Sequence, residues 1–455
     1  MEWLRQIFSN PELRKRLLFT LVMLAIFRLG VHVSVPGVNV ENLQAALKGS
    51  AAGNFAGIID LFSGGGFKKF SIFALGITPY ITASIVFQLM GAVIPQLEQL
   101  QKKEGEAGRQ KINQWTRYLT VLLSFIQGFG IATLAVSMNS PGASVVDNPG
   151  MAFKLMCAFT LATGTVFIMW IGEQITERGV GNGISLMIFA GIIAGLPNGV
   201  NTITTLFIES IQGVNQTPPG LYFLLIAVMI AVLLAVVTME NSYRRIPIHY
   251  ARRVDSSRMA SQRSSYLPLK VNTGGVMPVI FASSVIYFPA TIAQFAQWEW
   301  LAKLSGYINY DSHFWVYTPV FVGVVIFFAF FYTSIVFNPD ETAENMKRSG
   351  GYIPGIRPGK ETSVYMDGIL SKLTFVGALY LAVVSIVPLI LMKNVQGMSN
   401  IYYGGTSLLI VVGVAMDTVS QINSYQAMRR LDGGFLEKGR VRGNRGGRGP
   451  VARVN

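Results

Sequence analysis

A chain of 455 residues that is 51% hydrophobic and only 13% charged, with a mean hydropathy of +0.45, is too apolar to be an ordinary soluble domain. Its apolar residues come in blocks of about 20, enough to cross ~30 Å of hydrocarbon at ~1.5 Å per residue, which predicts an all-α polytopic membrane protein and excludes the short alternating strands of a β-barrel. The net charge of +14 then asks which side of the membrane holds it, and one cysteine, Cys157, rules out an intrachain disulfide.

In chain order, the first apolar run, 17–36, follows Arg14-Lys15-Arg16 and lacks a small-residue cleavage site, so it reads as a span and not as a removable signal peptide. Next comes FAGIIDLFSGGGFKKF, Phe55 to Phe70. A helix over Phe55 to Ser63 would be about 13 Å long, too short to cross a bilayer. Gly64-Gly65-Gly66 would end it. This predicts a short re-entrant helix on a flexible glycine hinge at the outer side, with a static interfacial helix as the plainer alternative. Span two, 73–93, carries Ile81 and Ile85 on one face, and span five, 184–203, repeats the spacing with Ile188 and Ile192. Isoleucine is ordinary inside a membrane, so the spacing alone does not make a pore.

Spans three and four are expected at 118–138 and 152–172, and spans six to ten at 220–240, 276–297, 314–337, 369–391 and 401–424. Span seven is the least regular, with Gly274-Gly275, Pro278 and Pro289. Cys157 reads as a small core residue. Polar residues within spans are few, chiefly Arg28, Gln88 and Gln127, which argues against an ion-coupled transporter. Arg28 has two simple readings, snorkelling to an interface or pairing with helix carbonyls. GVGNGIS, Gly179 to Ser185, lacks the lysine of a phosphate loop and reads as a tight turn into span five. His32, His249 and His313 form no metal-ligand spacing, and no nucleophile, base and orienter occur together. The chain is therefore not expected to be an enzyme or to carry a cofactor.

With Lys154 and Lys372, close to the ends of spans four and nine, counted to their nearer sides, thirty of the 37 lysines and arginines fall on one side of this topology and six on the other, while Arg28 lies within a span. Both termini should therefore be cytoplasmic. A first half of five spans that starts inside must end outside, so the second half enters inverted. The expected organisation is an amino-terminal half over 1–205, a carboxyl-terminal half over 206–425 and a basic disordered tail over 426–455. That tail could touch RNA or anionic lipid by charge alone.

Two basic loops, 241–272 and 338–368, stand out. YRRIPIHYARR, Tyr243 to Arg253, alternates in the manner of a strand. RSGGYIPGIRPGKET, Arg348 to Thr362, is stiffened by Pro354 and Pro358 and bent by Gly355 and Gly359, which would hold Arg357 out at a tip. Orientation needs charge but not stiffness. A rigid basic prominence suits docking to an acidic or phosphate-rich surface.

VPGV, LFSGGGFKKFSIFALGITPYITASI, ERGVGNGISLMIFAGIIAGLP, LPLKVNTGGVMPVIFASS, SGGYIPGIRPGKET and GGTSLLIVVGVAMD, in that order, resemble the SecY family over essentially the whole chain. The resemblance implies ten transmembrane helices in two inverted five-helix halves, opening sideways to lipid between spans two and seven. It implies the central channel of a bacterial inner-membrane translocon that passes unfolded preproteins across and releases membrane segments laterally. By motif matching, Ile81, Ile85, Ile188, Ile192, Ile280 and Ile410 fall at the pore ring. Ile58, Ile59, Asp60, Leu61, Phe62, Gly64, Gly65 and Gly66 fall in the plug, about 55–67. Arg244, Arg245, Arg252, Arg253 and Arg357 fall at a surface that docks the motor ATPase SecA and the ribosome. The implied partners also include the small subunits SecE and SecG, a signal peptide and membrane lipid. Gly91 stands where some relatives carry a polar residue of the lateral gate. An inverted-repeat secondary transporter is the alternative, and it would need coupling-ion ligands at the midplane.

Overall fold

The computed structural model describes residues 10–47, 62–97, 105–139, 144–213, 217–250, 265–296, 313–394 and 404–443, with Asp60, Leu100, Trp300, Lys303, Gly306 and Tyr307 as isolated positions. The elements are α1 Pro11–Gly30, α2 Val40–Leu47, α3 Thr78–Val93, α4 Gly105–Ser137, α5 Met151–Arg178, α6 Gly183–Ile211 and α7 Pro219–Glu240. Then come β1 Tyr243–Tyr250, β2 Ser265–Lys270, α8 Met277–Ala296, α9 Phe314–Val336, α10 Pro339–Arg348, β3 Gly351–Tyr352, α11 Lys360–Asn394 and α12 Gly405–Gly443. Leaving out the short α2 and α10, these helices follow the order of the expected spans. Seven segments among the described residues are long and apolar enough to cross a membrane by themselves. They do not include α1, which carries charges at both ends, α3, whose 16 residues fall short of a full crossing, or α8, whose apolar stretch is the short Met277–Ile286.

Local chemistry moves several boundaries. The first span was expected to reach residue 36, but α1 stops at Gly30. The β-branched Val33 and Val35 then run extended, and the backbones of Val33 and Val35 bond those of Ile72 and Phe70 at 2.9 Å each. The second span was expected from residue 73, but α3 starts at Thr78. Gly76 takes φ +57° in the preceding turn, and Pro79 sits in the first turn of the helix, where a missing N–H costs nothing. The boundary expected at 205/206 falls inside α6. The tail expected to be disordered from residue 426 instead continues α12 to Gly443, because Gln426, Ala427, Met428 and Leu431 are good helix formers.

The helices pack as two groups. α4 lies against α3 and α5, and α11 lies against α7, α9 and α12. The groups meet where α8 packs on α3 and α4, and again where α6 packs on α7 and α12. One large apolar core draws buried residues from α1, α3, α5, α6, α7, α8, α9, α11 and α12.

A polar clasp joins the groups at the end that carries the basic loops. In the turn between α5 and α6, the Val180 N–H donates to Thr20 Oγ1 at 3.1 Å and the Gly181 N–H donates to Gln421 Oε1 at 2.9 Å. Arg16 Nη1 reaches the Gly179 carbonyl at 3.4 Å, and its guanidinium lies 5.3 Å from the centre of the Tyr425 ring. Leu13, Val180 and Ile422 are buried together beside it.

Backbone lies directly on helix at Gly164 and Gly405. A Cβ at Gly164 would come 1.9 Å from the Ile72 carbonyl oxygen, and one at Gly405 would come 1.9 Å from that of Val384. Neither neighbour is a side chain that can swing away. Gly164→Ala should therefore destabilise the folded protein by ~1–3 kcal/mol or prevent assembly. Gly368→Ala, in open space on exposed α11, should be neutral or stabilising by up to ~1 kcal/mol. Thermal unfolding of both variants in detergent checks this, and equal midpoints would contradict the close approach.

Candidate functional site

All six matched isoleucines lie in the large core, between 1% and 4% exposed. α3 brings Ile81 and Ile85, α6 brings Ile188 and Ile192, α8 brings Ile280 and α12 brings Ile410. The helix starts set these positions. α3 begins late because of the Gly76 turn, and Asn182 caps α6 by accepting from the N–H groups of Ile184 and Ser185. All six thus belong to one buried hydrocarbon core, to which these four helices from both groups contribute. Each isoleucine is stiff at χ1 because it branches at Cβ.

Next to this junction lies the described part of the matched plug. Asp60, Phe62 and Ser63 are helical, while Ile58, Ile59 and Leu61 lie outside the described residues. Phe62 packs against the large core. Gly64 and Gly65 take φ +66° and +93°, so the chain turns sharply where the helix was expected to end. A Cβ at Gly64 would come 2.7 Å from the Cα of Gly191 on α6, next to Ile192.

This neck is a tied turn and not a loose hinge. Arg28 Nη1 donates to the Gly64 carbonyl at 2.7 Å, which selects the carbonyl-pairing reading of that arginine. Asp60 Oδ1 accepts from the N–H groups of Phe67 and Lys68 at 3.1 and 3.2 Å, and its other oxygen lies 3.6 Å from Lys68 Nζ. Burial raises the Asp60 pKa above the usual carboxylate value, against a smaller opposing pull from Lys68 and the two amides.

The two basic loops form one unit. β1 pairs antiparallel with β2, with Arg244 opposite Leu269, and with β3, with His249 opposite Tyr352, giving the order β2-β1-β3. Ile246, Ile248, Leu269, Met346, Ile353, Met366 and Leu370 bury a separate small core beneath it. The strand expected at Tyr243 is present, and Arg244 and Arg245 are exposed along it. Arg252 and Arg253 lie outside the described residues. Arg357 is exposed between Gly355 at φ +81° and Gly359 at φ +112°, and its carbonyl accepts from Thr362 Oγ1 at 2.8 Å. Ser363 on α11 donates to Asp340 on α10, closing the base of the loop.

Sequence reasoning missed the polar ties: Asp340 with Ser363, Asn272 with Glu240, and Lys270 with Asp417. The one available signal was Glu240, an acid ending a long apolar run. Its partner lies 32 positions away, beyond any periodicity.

The family model described as SecY matches residues 71–419. The protein translocase subunit SecY of Escherichia coli (strain K12) is 44% identical over 442 residues, covering 95% of this chain and 96% of that one. A solved structure described as the plug domain of the SecY protein, which stabilizes the closed state of the translocation channel and maintains a membrane seal, matches with TM-score 0.61 at 18% identity. It covers 90% of this chain and 92% of its own. Sec61 in the canine ribosome-channel complex from the endoplasmic reticulum matches with TM-score 0.58 at 16% identity over 90% and 92%. At such identities the two structures show likeness of fold alone.

The neck yields a test. Arg28→Met keeps the apolar stem and removes a charge-assisted bond worth ~1.5–3 kcal/mol. With Phe62→Cys in a Cys157→Ser background, a membrane-impermeant thiol reagent should then label at least tenfold faster. An unchanged rate would mean that Arg28 does not hold the neck. The raised Asp60 pKa means that ionisation opposes the seated neck. The neck should be most stable below the ordinary carboxylate range and loosen as pH rises through the raised value. Labelling should rise with pH more steeply than thiolate formation alone requires, and Asp60→Asn should remove the excess.

Proposed function

The chain belongs to the SecY family, and from that footing we propose how it holds and opens a path for protein. It is a channel subunit of the protein translocase and not an enzyme. Ile81, Ile85, Ile188, Ile192, Ile280 and Ile410 form its constriction. The segment about 55–67 is the plug that seals it. α3 and α8 part to release membrane segments into lipid. The observation that supports this reading is that all six β-branched side chains, brought by four helices, are buried in one apolar core. Such a ring can exclude water when empty and press on a passing chain without selecting its sequence.

Orientation follows from charge. The basic sheet and loop face the cytoplasm of a bacterial cell, with both termini on that side of the inner membrane. There Arg244, Arg245 and Arg357, with Arg252 and Arg253, meet the motor ATPase SecA and the ribosome. SecE and SecG complete the channel, and its cargo is an unfolded preprotein with its signal peptide. The amino-terminal half, which runs through the end of α6 at Ile211, and the carboxyl-terminal half from α7 onward open against each other.

Two measurements test this reading. Replacing Ile81, Ile188, Ile192 and Ile410 together with glycine should let small ions pass the idle channel in planar bilayers. Wild-type conductance in a folded multiple mutant would remove the ring. Arg357→Glu should lower import of a signal-bearing preprotein into vesicles about tenfold or more, because it removes a charge-assisted contact and adds repulsion. Arg357→Lys should keep partial activity, having the charge without the planar fork. Since Arg357 is exposed, native gels should show both variants assembled. Import at the wild-type rate by Arg357→Glu would reduce the loop to a topology signal.

A further inference from the structure

The basic sheet and the isoleucine junction are joined by a short connector. β2 ends at Lys270 and α8 begins at Met277, so Ile280 follows the sheet by only ten positions. The connector between them is gripped along its length. The Val271 N–H donates to the Ser242 carbonyl at 3.1 Å, next to the start of β1. A Cβ on Gly377 of α11 would come 3.0 Å from the Val271 oxygen, and one on Gly413 of α12 would come 2.4 Å from Val276 Cγ1. A side chain at either glycine would strike the connector, so both helices pass close beside it.

At its centre is Asn272, 4% exposed. Its Nδ2 donates to Glu240 Oε1 at 2.9 Å and to the Gly275 carbonyl at 3.0 Å. Both amide protons are therefore used. Glu240 is the last residue of α7 and is 7% exposed. The Gly275 carbonyl belongs to the turn, at φ +58°, that leads into α8. One side chain thus ties the end of α7 to the start of α8. The Lys270–Asp417 contact at 3.4 Å adds a second tie from the strand end to α12, but both groups are well exposed and solvent weakens it.

We propose that Asn272 is a positioning residue that locks the connector to Glu240, so that the basic sheet, the end of α7 and the head of α8 move as one piece. Displacement of the sheet by a docked partner then reaches Ile280 without being absorbed in a flexible joint. This rests on the channel reading given above. Losing the Asn272–Glu240 bond leaves the docking surface intact, since Arg244, Arg245 and Arg357 lie in the sheet and its loop. What changes is the link between docking and the junction.

The test uses the full channel in vesicles with its small subunits, a SecA-type motor ATPase, ATP and a signal-bearing preprotein. Three quantities are read: motor binding, ATP hydrolysis and preprotein imported per ATP. Asn272→Ala should leave motor binding within twofold and lower import per ATP about tenfold. Glu240→Gln keeps an oxygen that accepts from Asn272 and should stay within twofold. The double variant Glu240→Ala with Asn272→Ala should lose no more than Asn272→Ala alone, because Glu240 acts only through the bond that this single variant already removes. If Asn272→Ala does not assemble, Glu240→Ala gives the same readout, since it keeps the Asn272–Gly275 bond. Wild-type import per ATP in the single variants, or losses that multiply in the double, would overturn the lock. Failure of the wild-type channel to import would overturn the channel reading instead, so the two failures are distinguishable.

Discussion

Hydrocarbon offers no hydrogen-bond partner, so a chain that leaves its helices inside or near a membrane must bring its own. Among the described residues, four of this protein's helix interruptions are closed by side-chain hydrogen bonds, several of them from another element. At the first, Arg28 of α1 takes the Gly64 carbonyl while Asp60 takes two amides. At the second, Thr20 and Gln421 accept from consecutive amides of the turn before α6, and Thr176 accepts from Gly183. At the third, Asn272 bridges α7 and the head of α8. At the fourth, Thr362, Ser363 and Asp340 fasten the loop that carries Arg357. Where the partner comes from elsewhere in the fold, the interruption is also a joint between elements.

On the proposed reading, the isoleucine ring itself takes no part in these polar ties. A hydrogen-bonding group there would hold some passing sequences and reject others. Six aliphatic side chains, each limited in χ1, would on that reading make a surface that packs on itself or on whatever enters. On the proposed reading, the same protein needs both properties: polar ties that define how its parts move, and an indifferent apolar ring where they meet. The neck at Gly64 shows how close the two regions come, since it rests on Gly191, one residue from Ile192.

The sequence makes the helices legible and leaves the joints obscure. Apolar blocks mark nearly all the spans, because hydrophobic length is a property of contiguous residues. The strand at Tyr243 was readable from alternation, and the Arg357 tip from its two Pro-Gly steps. Where boundaries moved, tertiary pairing was the cause. Val33 and Val35 look like the end of a span but pair with the segment at 70–72. The glycines at 64–66 suggest a free hinge, but their turn is tied by Arg28, 36 positions earlier. The isoleucine pairs are visible as i, i+4 repeats, but periodicity could not show that helices far apart in sequence would bury all six in one core.

Stiffness in the basic unit has a physical consequence. A flexible loop with the same arginines would have to order on docking, at ~1–2 kcal/mol per residue. Here the ordering already exists. β3 is only two residues long, but it pairs His249 with Tyr352 and so fastens the Arg357 loop to the longer β1–β2 ladder. Met346, Ile353 and Met366 then bury that corner against α10 and α11. The arginines are left in solvent on a rigid base, where each contact they form with a partner is offset by little further loss of chain freedom. Since β2 leads within a few residues into α8, the same rigidity also sets how far a load on the unit can travel into the bundle.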